Sequence, residues 1–140
     1  MSNVIKRTKA RTYLAAKDLN TGKYLVMTKW GSLKHNDWKC SYVGFGDKIQ
    51  PLGKSKANIQ LLLEATRKQL TNEELLIDNT VRVLRDYIAK HPTSPDNGWY
   101  ERRINEELES SKNKKFLIDM IPHLSLVEVN ISIEETETAH

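Results

Sequence analysis

An alternating run near the C-terminal end constrains the fold of this chain more than any other feature. Apolar and polar side chains alternate through residues 124–133, which is typical of a β-strand with one buried face. The apolar face comprises Val127, Val129, Ile131 and Ile133, and the polar face comprises Glu128, Asn130 and Ser132. Because an isolated strand is unstable in water, we expect this strand to return and pair with strands near the N-terminus.

Three further strands are predicted in the N-terminal part. Residues 11–19 and 23–30 are rich in the apolar and aromatic side chains that strands favour. Asn20-Thr21-Gly22 lies between them, and Asn and Gly tolerate the positive φ of a tight turn. These two segments therefore predict a hairpin. Residues 38–45 predict a third strand.

The middle of the chain has helical periodicity. Gly46, Pro51 and Gly53 indicate a loop, and a helix is expected to begin near Ser55. Thr71 and Glu74 match a capping box, which predicts that a second helix opens there and ends before a proline at position 92.

A third helix is expected to begin at residues 94–97, where Ser94-Pro95 and Asn97 are both suitable first residues. It is expected to end in a polar turn over residues 110–115. Strands, then helices, then one strand predict an α+β fold. We expect an antiparallel sheet of about four strands with about three helices packed on one face. The predicted core includes Leu62, Val81, Leu84, Ile88, Val129 and Ile131.

The two ends differ in composition from the middle. Residues 1–10 are polar and basic without a clear period, which predicts a flexible basic arm. Residues 11–134 are expected to form a single α+β domain, and residues 135–140 an acidic tail.

Charge is distributed unevenly along the chain. Residues 1–56 contain 12 Lys or Arg and 3 acidic residues, a net charge of +9, whereas residues 57–140 contain 10 and 15, a net charge of −5. Such asymmetry favours an anionic partner. A lysine-rich surface that serves solubility alone is the alternative interpretation.

Aromatic residues interleave with the basic ones in the strand region. Bases stack on aromatic rings while lysines contact phosphates in several sheet proteins that bind nucleic acid. Aromatic residues in strands also serve packing alone. The predicted nucleic-acid-binding residues are Lys6, Arg7, Lys9, Arg11, Lys23, Lys29, Trp30, Lys34, Trp38, Lys39 and Tyr42.

A second predicted anion site lies at the first helix start, formed by Gly53, Lys54, Ser55 and Lys56. Free amides and the helix dipole attract anions there, although an ordinary capped helix is the simpler interpretation. The segment does not complete a Walker A loop, because six residues rather than four separate Gly46 from Gly53.

The acidic half offers an alternative function. The third predicted helix carries Trp99 and Tyr100 near its start, followed by Glu101, Glu106, Glu107 and Glu109. Such a surface docks onto a basic partner protein or is simply solvated. The sequence therefore predicts a non-enzymatic binding module for an anionic partner, nucleic acid first. A small interaction or inhibitor protein that uses its acidic helical half is the alternative.

Several classes are not expected. Cys40 is the one cysteine, so no internal disulfide or thiolate zinc site can form, and a reducing compartment is indicated. No apolar run approaches the roughly 20 residues that span a bilayer, and the N-terminal residues lack the apolar core of a signal peptide. We expect a cytoplasmic protein without cofactor or metal. No pair of catalytic groups at a defined spacing favours an enzyme.

Overall fold

The computed structural model describes the backbone of residues 3–31 and 39–139, and the side chains of residues 11–28, 31 and 39–132. Its elements are β1 (Asn3–Lys17), β2 (Tyr24–Trp30), β3 (Lys39–Gly46), α1 (Lys56–Lys90), α2 (Asn97–Met120), a short 3-10 turn (Ile121–His123) and β4 (Ser125–Ala139). The strands form one antiparallel sheet in the order β3-β2-β1-β4. The expected α+β class and four-stranded sheet are confirmed, but the described residues form two α-helices rather than about three. The packing of helices on one sheet face stays a prediction.

The described residues divide into two compact units. The first is drawn from Met1–Met27, Gly44–Leu61 and Leu124–His140, and the second from Thr28–Val43 and Leu62–His123. None of the described helices has a stretch long and apolar enough to cross a membrane.

The first unit is built on the pairing of β1 with β4. Their antiparallel register runs without interruption from Lys17 opposite Ser125 to Asn3 opposite Ala139. The segments that we expected to be an arm and a tail are thus assigned to strand ends, with Arg7 in register with Glu135. The register therefore places the basic strand end against the acidic one. The domain boundaries near residues 11 and 134 stay predictions.

The two faces of β4 differ in polarity. Thr12 Oγ1 donates to Asn130 Oδ1 at 3.1 Å on an exposed face, so the alternating Val129 and Ile131 lie on the opposite face. Both are half-buried rather than buried, and the prediction that they belong to the core is wrong. One physical reason is that β4 lies at an edge of the sheet, so only β1 places side chains beside these two residues on the same face.

The β1–β2 hairpin begins as predicted. Gly22 has φ +73°, and the Asp18 carboxylate accepts hydrogen bonds from Asn20 N–H at 3.2 Å and Thr21 Oγ1 at 2.7 Å. Lys17 lies opposite Tyr24. If this register continued, Leu14 and Met27 would lie opposite each other and exchange two hydrogen bonds.

Instead of bonding to each other, Leu14 and Met27 bond to loop residues 50–53. Leu14 N–H donates to the Gly53 carbonyl at 2.7 Å, and the Leu14 carbonyl accepts from Leu52 N–H at 2.8 Å. The Gln50 side-chain amide accepts from Met27 N–H at 2.6 Å and donates to the Met27 carbonyl at 2.8 Å. The loop therefore pairs with both strands where the hairpin opens, and none of these four backbone groups is left unsatisfied.

Helix α1 begins where the sequence predicted and continues further. Ser55 Oγ accepts from Asn58 N–H at 3.3 Å, an N-cap bond. The predicted second helix start at Thr71 is wrong, because Thr71 Oγ1 donates to the Arg67 carbonyl four residues back, at 2.9 Å. No Gly or Pro interrupts residues 56–90, so nothing ends the helix there.

Helix α2 runs through the predicted polar turn at residues 110–115, which is another correction. The polar residues there form a hydrogen bond and an ion pair within the second unit. Ser111 is buried and donates to the Glu74 carboxylate at 3.1 Å, and Lys115 forms an ion pair with Glu74 at 3.2 Å. The polar residues 110–115, which include no Gly or Pro, therefore continue α2, and some of them bond to α1.

The apolar core of the second unit follows the predicted stripe. Val81 packs with Ile77 and Ile104, and the half-buried Leu84 and Ile88 pack against them. Leu62 and Val81 are buried as predicted, whereas Leu84 and Ile88 are only partly so.

The revised helix start gives a paired prediction. We expect Ser55→Ala to lower the free energy of unfolding by about 1 kcal/mol, because it removes an N-cap. We expect Thr71→Ala to change it by less than about 0.5 kcal/mol, because alanine is the stronger helix former at an exposed mid-helix position. Urea denaturation of both variants measures the difference. A larger decrease for Thr71→Ala than for Ser55→Ala would contradict the continuous helix.

A second prediction concerns acid. Burial alone raises the pKa of Glu74, but the hydrogen bonds from Lys115 and Ser111 outweigh it and hold the pKa below the usual 4.5. Its stabilising contribution is then complete above about pH 4.5 and is lost as the pH falls through the lower folded pKa. We expect Glu74→Gln to reduce the difference in unfolding free energy between pH 7 and acid. The exposed Glu101→Gln is the control, and equal pH profiles for both variants would refute the assignment.

Candidate nucleic-acid interface

The predicted nucleic-acid-binding residues are only partly described. Lys34 and Trp38 lie outside the described residues, as do the side chains of Lys6, Arg7, Lys9, Lys29 and Trp30. Of the remainder, Arg11 and Lys23 are exposed in the first unit, and Lys39 and Tyr42 are exposed on β3 in the second. The described candidate residues therefore fall in two separate units.

In the first unit, a lysine of the helix start lies over a strand tyrosine. Lys54 Nζ is 5.3 Å from the ring centroid of Tyr13, which is cation–π distance. The pairing of Leu14 with Gly53 brings these neighbours together. Gly53 has φ +157°, which side-chain-bearing residues rarely adopt. The backbone conformation of the loop at Gly53 therefore determines where the Lys54 side chain lies.

A second cation–aromatic pair lies at the hairpin. Lys17 Nζ is 5.3 Å from the ring centroid of Tyr24, its partner in register. Residues opposite each other in antiparallel strands share a face. Arg11 and Tyr13 share the Lys17 face of β1, because strand side chains alternate. We define the basic aromatic surface as Arg11, Tyr13, Lys17, Tyr24 and Lys54.

Sequence reasoning missed part of this surface. It assigned Arg11 to nucleic acid and Lys54 to an anion site, but it did not select Tyr13 or Lys17. A usable signal was present, since Arg11, Tyr13 and Lys17 have the even spacing of one strand face. The contribution of Lys54 follows from loop pairing, which no local pattern reveals.

Three of the four residues of the predicted anion site at the start of α1 are exposed. Lys54, Ser55 and Lys56 are exposed, and Ser55 already caps one free amide. The Gly53 carbonyl bonds to Leu14. Anion binding by these residues stays a prediction.

In the second unit, a cavity of about 260 Å³ lies between β3 and both helices. Cys40 lines this cavity, and the Gln69 side-chain amide accepts from Cys40 N–H at 2.8 Å and donates to the Cys40 carbonyl at 2.6 Å. Cys40 is buried, as expected, and its thiol donates to the Tyr42 carbonyl at 2.9 Å. Gln69 thus takes the place of a neighbouring strand along β3.

An ion pair lines the same cavity. Glu73 Oε2 and Lys114 Nζ are 2.8 Å apart, and Gln69 also donates to Glu73 at 2.9 Å. Burial raises the pKa of Glu73, but the Lys114 and Gln69 hydrogen bonds outweigh it and hold the pKa below its usual value. Because Glu73 and Lys114 pair with each other, both charges in the cavity wall are accounted for by the packing of β3 against the helices.

No group of three or more His, Cys, Asp or Glu among the described residues is arranged to hold a metal ion. Comparison with protein-family models, curated proteins and solved structures found no match.

The Gln69 contacts yield a stability prediction. We expect Gln69→Ala to cost about 1–3 kcal/mol, because it removes the two hydrogen bonds that the Gln69 side chain makes to the amide and the carbonyl of Cys40. The exposed Gln60→Ala on the same helix is the control and should change stability by less than about 0.5 kcal/mol. Chemical denaturation compares the two, and equal midpoints would show that Gln69 does not support β3.

Proposed function

We propose that this protein is a non-enzymatic module that binds an anionic partner, nucleic acid, through the basic aromatic surface of the first unit. The observation that carries the proposal is the placement of Lys54 over Tyr13, next to Arg11 on the same strand. A cation beside a ring offers a phosphate contact and a stacking surface together.

Charge in the first unit supports the proposal. Its described side chains include six basic residues, Arg11, Lys17, Lys23, Lys48, Lys54 and Lys56, against the acidic Asp18, Asp47 and Glu128. Asp18 is also buried in the hairpin turn. The basic end of β1, however, is in register with acidic residues of β4. The proposed footprint therefore rests on residues 11–56 rather than on the first ten.

Single-stranded nucleic acid is the form this surface suits better. Tyr13 and Tyr24 are half-buried tyrosines at the surface, and stacking on them requires unpaired bases. In the first unit, Lys23 remains a predicted contributor. In the second unit, the predicted nucleic-acid-binding residues that remain untested are Lys29, Trp30, Lys34, Trp38, Lys39 and Tyr42.

A second candidate function is docking onto another protein through α2. Its support is the 52% exposure of Trp99, because tryptophan is enriched among the residues that dominate interface energies. Reversing the charges of Glu106 and Glu107 should then abolish partner binding, whereas nucleic-acid binding by the first unit should not change.

Salt dependence tests the first candidate. We expect Lys17→Gln with Lys54→Gln to flatten the log–log salt slope by about 0.7 for each phosphate of a single strand that the variant no longer neutralises. Fluorescence anisotropy with a labelled mixed-sequence oligonucleotide at about 50–200 mM salt measures the slope. Tyr13→Leu should lower affinity without altering the slope, because stacking releases no counterions.

The control removes the same charge elsewhere. Lys48→Gln with Lys112→Gln changes two exposed lysines outside the basic aromatic surface. An equal effect of this pair would indicate general charge attraction and reject the proposed surface. No binding at the lowest salt with micromolar protein would reject nucleic acid as the partner.

A further inference from the structure

Four aromatic rings form a chain at the α1–α2 end of the second unit. His91 and Tyr87 have ring centroids 4.4 Å apart, Tyr87 and Tyr100 4.8 Å, and Tyr100 and Trp99 5.2 Å. The Trp99 ring meets Tyr100 edge to face at 75°. An indole held in this way is ordered while half of its surface stays exposed, so little conformational entropy remains to be lost on binding.

Trp99 forms a cavity of about 210 Å³ together with Arg102, Arg103 and Glu106. The Arg103 guanidinium lies 6.0 Å from the Trp99 ring and donates to Glu107 at 3.2 Å. Arg102 is exposed and forms no ion pair within the described part of the chain, not even with Glu106 one turn away. The cavity therefore presents an indole face and a guanidinium that no described carboxylate neutralises.

We propose that this cavity binds a segment of a partner protein that carries one carboxylate next to an apolar side chain, with the carboxylate on Arg102 and the apolar side chain against Trp99. The lining has two guanidinium groups and one carboxylate, so an anionic group complements it. The planar guanidinium accepts a carboxylate in a bidentate geometry. Trp, Tyr and Arg are also the residue types that dominate interface energies.

A protein segment fits better than nucleic acid. Glu101, Glu106, Glu107 and Glu109 lie along the same part of α2 and repel a polyphosphate backbone, whereas a single carboxylate reaches Arg102 alone. The inference concerns the second unit and does not depend on nucleic-acid binding by the first. The inference also differs from the second candidate function, in which acidic residues of α2 bind a basic partner. Here the partner supplies the carboxylate.

Nuclear magnetic resonance of the full chain tests the proposal. The probe is a blocked tetrapeptide of one glutamate, one phenylalanine and two glycines, and the readout is the Trp99 indole N–H signal, identified by its disappearance in Trp99→Phe. We expect the glutamate peptide to shift this signal in a saturable manner. The equivalent glutamine and lysine peptides should shift it much less.

Variants separate a specific interaction from general attraction. Arg102→Glu should weaken binding of the glutamate peptide at least about tenfold, which corresponds to the removal of one charge-assisted hydrogen bond. Arg85→Glu makes the same charge change at an exposed arginine on α1 and should have little effect. Lys17→Gln with Lys54→Gln should leave the peptide affinity unchanged, so failure here is distinguishable from failure of nucleic-acid binding.

Three results would overturn the proposal. These are the absence of a shift at millimolar glutamate peptide, an equal shift with the glutamine peptide, and an equal weakening in Arg85→Glu. A shift of the Trp99 signal by a mixed-sequence oligonucleotide in place of the peptide would assign the cavity to nucleic acid instead.

Discussion

Four hydrogen bonds to loop residues 50–53 determine how the first unit is built. The β1–β2 hairpin brings Leu14 and Met27 toward the same level, but each bonds to the loop rather than to the other. A buried backbone amide or carbonyl without a partner costs about 1–3 kcal/mol, at least as much as one hydrogen bond contributes. The two strands can therefore separate here only because the loop provides hydrogen-bond partners to both of them. The same pairing places Lys54 beside Tyr13, so the candidate interface depends on it.

Glutamine side chains fulfil this need twice, once in each unit. Gln50 bonds to both backbone groups of Met27, and Gln69 does the same for Cys40. A primary amide has its C=O acceptor and one of its N–H donors on the same side, so it can bond to both the N–H and the C=O of one strand residue without a further strand. Glutamate lacks the donor, and a shorter amide changes the reach. Glutamine at positions 50 and 69 is thus explained by hydrogen-bond geometry rather than by charge or propensity.

The parts that sequence reasoning predicted correctly follow from local patterns. The alternation around Val129 indicated β4, Asn20-Thr21-Gly22 indicated the hairpin, and Ser55 indicated the start of α1. The errors arose where a polar residue has a tertiary partner. Glu74 looked like part of a capping box, but its carboxylate bonds to Ser111 and Lys115 on the other helix. Likewise, Tyr13 and Lys54 are far apart along the chain, and only the loop pairing with β1 brings them together.

The pairing of β1 with β4 also has a consequence for the order of folding. The first strand of the sheet finds its long partner in the last one, so these contacts close nearly the whole chain as a loop. Contacts of such large sequence separation form late, because loop closure costs entropy before pairing repays it. During synthesis, β1 leaves the ribosome well before β4 exists. Until then one side of β1 carries unpaired amides and carbonyls, which makes the nascent first unit dependent on rapid completion or on chaperone protection.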